Sequence, residues 1–330
     1  MKFGPVDLDD AEGAILAHSV KVDGGRIAKG ATLDAAGVDA IRAAGHSRVW
    51  VARLEAGDLG EDAAAARMAE AVAGAGLMIG AAGTGRVNLR ASGPGVLTID
   101  AAAITAANAV NPGLTIATLP PFQRVEAGDM VATIKVIPYA IPAADLEVAC
   151  TAARAALALA PPVMANATLI ETRTTEATPP DKGRRVTDER LSRLGVDLAP
   201  RVVVPHEVDA ISAALQQAGG DLILILTGSA TSDIGDVAPA SVVAAGGRVA
   251  HYGMPVDPGN LLFLGSLGRR AIIGLPGCAR SPALNGADWV LERVVCGIPV
   301  TSQDIQGMGL GGLLKEIPTR PMPRRGIARD

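Results

Sequence analysis

The sequence predicts an α/β protein: a three-layer α/β/α sandwich around a mostly parallel sheet in the carboxyl-terminal half, preceded by mixed α+β domains. Three observations carry this expectation. From residue 163 onward strand and helix patterns alternate regularly, which implies right-handed crossovers and a sheet flanked by helices. Leu222-Ile223-Leu224-Ile225-Leu226 is a continuous apolar run of strand length, the pattern of a strand covered on both faces. Pro161-Pro162 closes the preceding Ala-rich segment, where a domain boundary belongs.

Residues 1–78 read as a mixed α/β domain. SVKVDGGRI (19–27) centres on Asp23-Gly24-Gly25, a hairpin signal. LDAAGVDAIRAAGH (33–46) fits a short helix closed by Gly45, SRVWVARL (47–54) a strand, and GEDAAAARMAEAVAGAG (60–76) an Ala-rich helix stopped by glycine. Residues 79–162 form a β-rich domain: VLTID, TIATL and MVATIKVIPYAI carry β-branched residues between Gly, Pro and Asn turns, and 145–160 is an Ala-rich helix. In the third domain, 163–305, strands are expected near 167–173, 201–204, 221–226, 247–253 and 271–275, and helices near 184–194, 207–218, 237–245 and 282–296. Residues 306–330 are a tail or linker, and TRPMPRRGIARD (319–330) has no core pattern and reads as flexible.

The join after Leu226 is the first candidate site. Thr227, Gly228, Ser229, Ala230, Thr231 and Ser232 are small, so backbone N–H groups there are free to approach an anion or a ring edge. Asp236 precedes Val237-Ala238-Pro239 and is placed to cap the next helix. Capping alone explains it as well as a functional role does. Lys182, Arg184 and Arg185, in PPDKGRRVTDERL (179–191), are expected at a loop and first helical turn on the same strand-end side as Gly228. The competing reading is an ordinary solvated basic turn.

Composition removes several function classes. A net charge of −4 leaves no general basic field, so any phosphate contact must come from a few local cations. Only 2% of residues are aromatic, which disfavours single-stranded nucleic-acid binding by stacking. Cys150, Cys278 and Cys296 show no metal-ligand spacing or disulfide framework and point to a reducing compartment. His18, His46, His206 and His251 are each isolated, and no GxSxG nucleophile elbow occurs. The acidic start and the lack of an apolar stretch of membrane-spanning length lead to the expectation of a soluble, cytoplasmic protein without a membrane partner.

TGSATSDIGDVAP (227–239) resembles the TGG…DVTP signature of the molybdopterin-binding domain of Mog-type molybdenum-cofactor biosynthesis proteins. GMPVDPGNLLFLG (253–265) followed by GLPGCARSPALNGADWVLERVV (274–295) resembles the GVAMKPGKP…GLPGNPVSAL pattern of the molybdenum-insertase branch. The chain is also similar to the amino-terminal part of proteins that fuse such a domain to a cofactor nucleotidyltransferase. The resemblance implies the molybdopterin-binding type of sandwich, with molybdopterin held in a cleft at the carboxyl ends of the strands. It implies donors from Gly228, Ser229, Thr231 and Ser232, a second turn from Gly274, Pro276, Gly277, Cys278 and Ser281 before a helix whose amino terminus favours an anion, and a contribution from Pro258 and Gly259. Asp181 matches the family's acid before the first helix, and Asp236 the acid tied to Mg²⁺ and nucleotide handling.

Departures from the family pattern matter as well. Ser229 stands where the family has its second glycine, and Asp257 and Asn260 replace the two lysines of KPGKP. Both positive charges are lost. Cys278, beside Arg280, reads either as a small packed residue or as a thiol of lowered pKa. The reading these residues favour is a protein that binds molybdopterin or the molybdenum cofactor during maturation and hands it to a nucleotidyltransferase or a molybdoenzyme maturation partner. Two alternatives stay open: Mg²⁺- and ATP-dependent adenylylation of molybdopterin or molybdate insertion, with Asp236 catalytic and metal-binding, and a homo-oligomerising module with a degenerate site.

Overall fold

A computed structural model of the chain describes residues 1–314, so the tail expected at 319–330 lies outside the described residues. Contacts divide the chain into two units, Met1–Gly93 with Leu97–Leu159, and Pro94–Val96 with the chain from Ala160 onward. Among the described residues no helix is long and apolar enough to cross a membrane.

In the first unit, local capping sets the helices. Asp34 accepts the Gly37 amide at 2.8 Å and starts the Ala35–Ala43 helix, whose Val38 and Ile41 pack with Leu16, Val49 and Val51 of an antiparallel sheet made of Lys2–Asp7, Arg48–Arg53 and Ile15–Leu16. Val20–Val22 and Gly25–Ile27 form the expected hairpin, with Gly24 in the left-handed region at φ 83°. The second core of this unit joins the Glu61–Val72 helix to a four-stranded sheet through Met68, Val87, Leu89 and Ile134.

Two segments of the first unit differ from the sequence reading. An Ala101–Asn108 helix stands inside the stretch expected to be β-rich, started by Asp100, which accepts the Ala103 amide at 2.9 Å. The helix expected over 145–160 runs only from Ala143 to Ala152. Ala155 turns left-handed at φ 50°, and Leu157–Ala160 is a strand. Tertiary pairing overrides alanine's helix preference there: the Leu157 carbonyl accepts the Gly74 amide, the Leu159 amide donates to the Ala75 carbonyl, and Leu157 and Leu159 are buried on alternate positions.

Among the described residues the second unit is built on a seven-stranded sheet. Asn166–Arg173 pairs in parallel with Leu222–Leu226 on one side and with Asp197–Leu198 and Val202–Pro205 on the other. Leu222–Leu226 pairs in parallel with Arg270–Leu275. The sheet then continues through Phe263–Leu267, antiparallel, to Arg248–Tyr252. Phe263–Leu267 was not among the expected strands, and it makes the last part of the sheet a meander rather than a series of crossovers.

Alternation along the central strand sends its side chains to two places. Ile223 and Ile225 join Ile170 and Ile272 in one core with Ile211 and Leu215 of the Val208–Gln217 helix and with Ala238 and Val242 of the Val237–Ala244 helix. Leu226 belongs to the other set. Its Cδ2 lies where a Cβ on Gly183 of the Lys182–Ser192 helix would reach, 2.6 Å away.

Candidate functional site

Strand register places the carboxyl ends of three parallel strands side by side. Glu171 is level with Leu226, and Leu226 with Leu275. The segments that leave those strands therefore start from one rim. Arg248–Tyr252 runs the same way, because two antiparallel steps restore the direction, so the 253–262 turn leaves from that end as well.

The 227–236 loop is tied down by its own backbone and by its neighbours. Gly228 donates its amide to Thr172 Oγ1 at 2.7 Å, and a Cβ on Gly228 would lie 2.7 Å from the Thr172 carbonyl oxygen, so only glycine fits without a shift. Buried Thr227 turns its hydroxyl to the Ser229 carbonyl at 2.5 Å. Buried Thr231 lends its carbonyl to the Tyr252 hydroxyl at 3.0 Å, which joins the loop to the start of the 253–262 turn. Gly228, Ser229 and Ser232 are exposed.

Asp236 caps the Val237–Ala244 helix, and both of its oxygens are in use. Oδ2 accepts the Ser232 amide at 2.8 Å and Oδ1 the Val237 amide at 2.7 Å. These two bonds, Ser232 first, hold its carboxyl below the ordinary value of 3.8. Among the described residues no group of three His, Cys, Asp or Glu side chains is arranged to hold a metal ion. A Mg²⁺ ion held there by this carboxylate and substrate phosphates would share oxygens that already accept two backbone amides.

The second turn meets the first directly. Gly277–Arg280 forms one turn of 3-10 helix after Pro276, and Arg280 Nη2 donates to the Thr227 carbonyl at 2.6 Å. Burial lowers the Arg280 pKa, opposed by the charge of Glu171, yet a guanidinium stays protonated in any protein setting. Gly183 makes room for it: a Cβ there would come within 3.3 Å of Arg280 Cγ. Arg190 fixes the rest of the turn with bonds to the carbonyls of Ala279 at 2.7 Å, Ser281 at 2.9 Å and Ala283 at 3.2 Å, and with an ion pair to Asp288. Cys278 is half-buried within it.

The helix after this turn starts later than the sequence reading put it. It begins at Gly286 with Asn285 and Asp288 as a reciprocal cap, and its first amides are occupied: Gly286 donates to the Pro258 carbonyl at 2.8 Å and Ala287 to Asn285 Oδ1 at 2.8 Å. Its amino terminus therefore serves packing rather than anion binding. Pro258 and Gly259 are buried against it, with Gly259 at φ 147° and no room for a Cβ beside the Gly286 amide. Gly274 lies within its strand, where a Cβ would strike the Phe263 ring at 2.0 Å. That glycine makes space for an aromatic core residue.

The basic turn is split. Lys182 opens its helix at the exposed end, whereas Arg184 reaches the Ala199 carbonyl at 2.8 Å, beside the start of the Asn166–Arg173 strand, and Arg185 lies 4.0 Å from Glu189 along the helix surface. Asp181 accompanies Arg201 at 3.7 Å, and Arg201 pairs twice with buried Glu171, at 2.7 and 3.2 Å. Two residues the sequence reading passed over, Arg280 as a rim cation and His206, belong to this region. His206 places Nδ1 2.9 Å from Thr172 Oγ1.

The structure resembles the molybdopterin biosynthesis moeA protein from Pyrococcus horikosii at 13% identity, over 93% of this chain and 76% of that one, with a TM-score of 0.30. It resembles molybdenum cofactor biosynthesis protein B at 15% identity, over 41% of this chain and 96% of that one, with a TM-score of 0.31. At these values neither likeness bears on function. A family model described as a domain of unknown function, DUF8806, matches residues 5–53 in the first unit. Comparison with curated proteins finds no match.

Proposed function

We propose that the carboxyl-terminal unit is a three-layer α/β/α sandwich of the molybdopterin-binding type, and that its rim holds molybdopterin or the molybdenum cofactor during cofactor maturation. The observation that carries the reading is the bond from Arg280 Nη2 to the Thr227 carbonyl. It joins the two motif-bearing turns at the carboxyl ends of adjacent parallel strands, the place where α/β proteins take ligands. Exposed Ser229 and the Ser232 hydroxyl on one side, in a loop shaped by Gly228 and Thr231, and Gly277, Ser281 and Arg280 on the other, are the groups that would hold the pterin and its phosphate. Lys182 adds a second cation at the opening helix. A molybdopterin bound there supplies the dithiolene that carries the metal; the chain's own residues bind and orient it.

Binding and hand-over is preferred to adenylylation or metal insertion on two grounds. Asp236 already holds the Ser232 and Val237 amides, and Asp257 and Asn260 stand in the KPGKP turn in place of lysines. A homo-oligomer, a cytoplasmic setting and a nucleotidyltransferase as recipient belong to the same proposal. Titration calorimetry of the full chain with molybdopterin, with and without Mg-ATP and molybdate, tests it. The expected result is saturable, salt-sensitive binding without turnover, weakened about tenfold or more by Arg280→Ala through loss of a charge-assisted bond. No binding heat, or an Arg280→Ala chain that binds as tightly as the parent, would contradict it.

A further inference from the structure

Resting on that reading of the rim, we infer that His206 contacts the ligand: its Nε2–H is a fixed donor for an acceptor oxygen on a phosphate or a pterin carbonyl. His206 follows the Val202–Pro205 strand, and its amide donates to the Arg173 carbonyl at 2.9 Å, so it stands at the carboxyl ends of two paired parallel strands. That is the rim that carries Gly228 and Arg280.

The protonation of the ring follows from its neighbours. Thr172 is 1% exposed, and its Oγ1 already accepts the Gly228 amide. A hydroxyl has one proton to give. Among the described residues the acceptor within its reach is His206 Nδ1, at 2.9 Å, so the proton points there. A neutral imidazole that accepts at Nδ1 carries its own proton on Nε2. Nε2 makes no hydrogen bond to the described residues. Backbone amide, threonine and imidazole thus form a relay in which a main-chain donor sets a side-chain tautomer. Thr172 is a positioning residue here, and His206 is the group that touches ligand.

Nitrogen-15 spectra of the histidine rings in the ligand-free full chain read the tautomer without any ligand. At a pH where the ring is neutral, His206 should carry its proton on Nε2, Thr172→Val should bring in the Nδ1–H form, and Thr172→Ser should restore the parent signal. Binding is then measured with two probes, inorganic phosphate and 6-hydroxymethylpterin. His206→Ala should weaken at least one of them by about tenfold, and His206→Gln, whose amide N–H falls near the Nε2 position, should recover most of the loss. Loss confined to phosphate assigns the phosphate oxygen; loss confined to the pterin assigns its carbonyl. An Nδ1–H tautomer in the parent chain, or unchanged affinity for both probes in His206→Ala, overturns the inference. A parent chain that binds neither probe overturns the contact, and an intact tautomer in that case places the failure in the proposed ligand rather than in the relay.

Discussion

Asp236 illustrates how much of a rim residue's work is done on the backbone before any ligand is considered. Its two oxygens hold the Ser232 and Val237 amides, and its folded pKa lies below the ordinary value of 3.8 as a result. A group with a lowered folded pKa contributes stability that is complete above the unfolded value and is lost as pH falls through the folded one. Asp236→Ala should therefore cost about 1 kcal/mol in urea unfolding near neutral pH, with a difference that shrinks in acid; a loss that is constant with pH would contradict the capping account. The cap was legible in the sequence because an acid directly before Val-Ala-Pro is a local signal. His206 was not. Its partner Thr172 is brought to it by strand pairing across 34 positions, and nothing adjacent to His206 in the chain announces it.

At the scale of elements, the sequence marked those whose signal is local and missed those set by neighbours. The apolar Leu222–Leu226 run is fully buried, as its composition requires. Phe263–Leu267 was obscured because it sits next to a motif turn and is joined to Arg270–Leu275 by only Gly268 and Arg269. The late start of the Gly286–Val295 helix has a tertiary cause as well: Arg190 draws the carbonyls of Ser281 and Ala283 out of any helical ladder. Charged pairs hold the sheet edge in the same long-range way. Glu171 is 2% exposed within its strand, and Arg201 meets both of its oxygens. Arg201→Met should cost about 3–5 kcal/mol by leaving a buried carboxylate unpaired, and adding Glu171→Gln should recover part of that loss. Chemical denaturation of both single variants and the double variant measures the coupling, and additive losses would contradict it.

For the whole molecule, the α/β class and the two turns at the strand ends were legible in the sequence, because glycine-rich turns after buried strands are readable from residue type and spacing. Which donors remain for a ligand was not readable, since it depends on where Arg190, Arg184 and Asn285 spend their hydrogen bonds. With a net charge of −4, the chain has no general field for anions, so the proposed recognition of a phosphorylated pterin would rest on a few cations at one rim. Amide hydrogen exchange of the full chain, with and without saturating molybdopterin, tests that claim most directly. The expected result is slowed exchange at residues 227–236, 253–262 and 276–285, with further protection only beside Lys182 and His206. Protection that falls elsewhere in the chain, with those three segments unchanged, would contradict it.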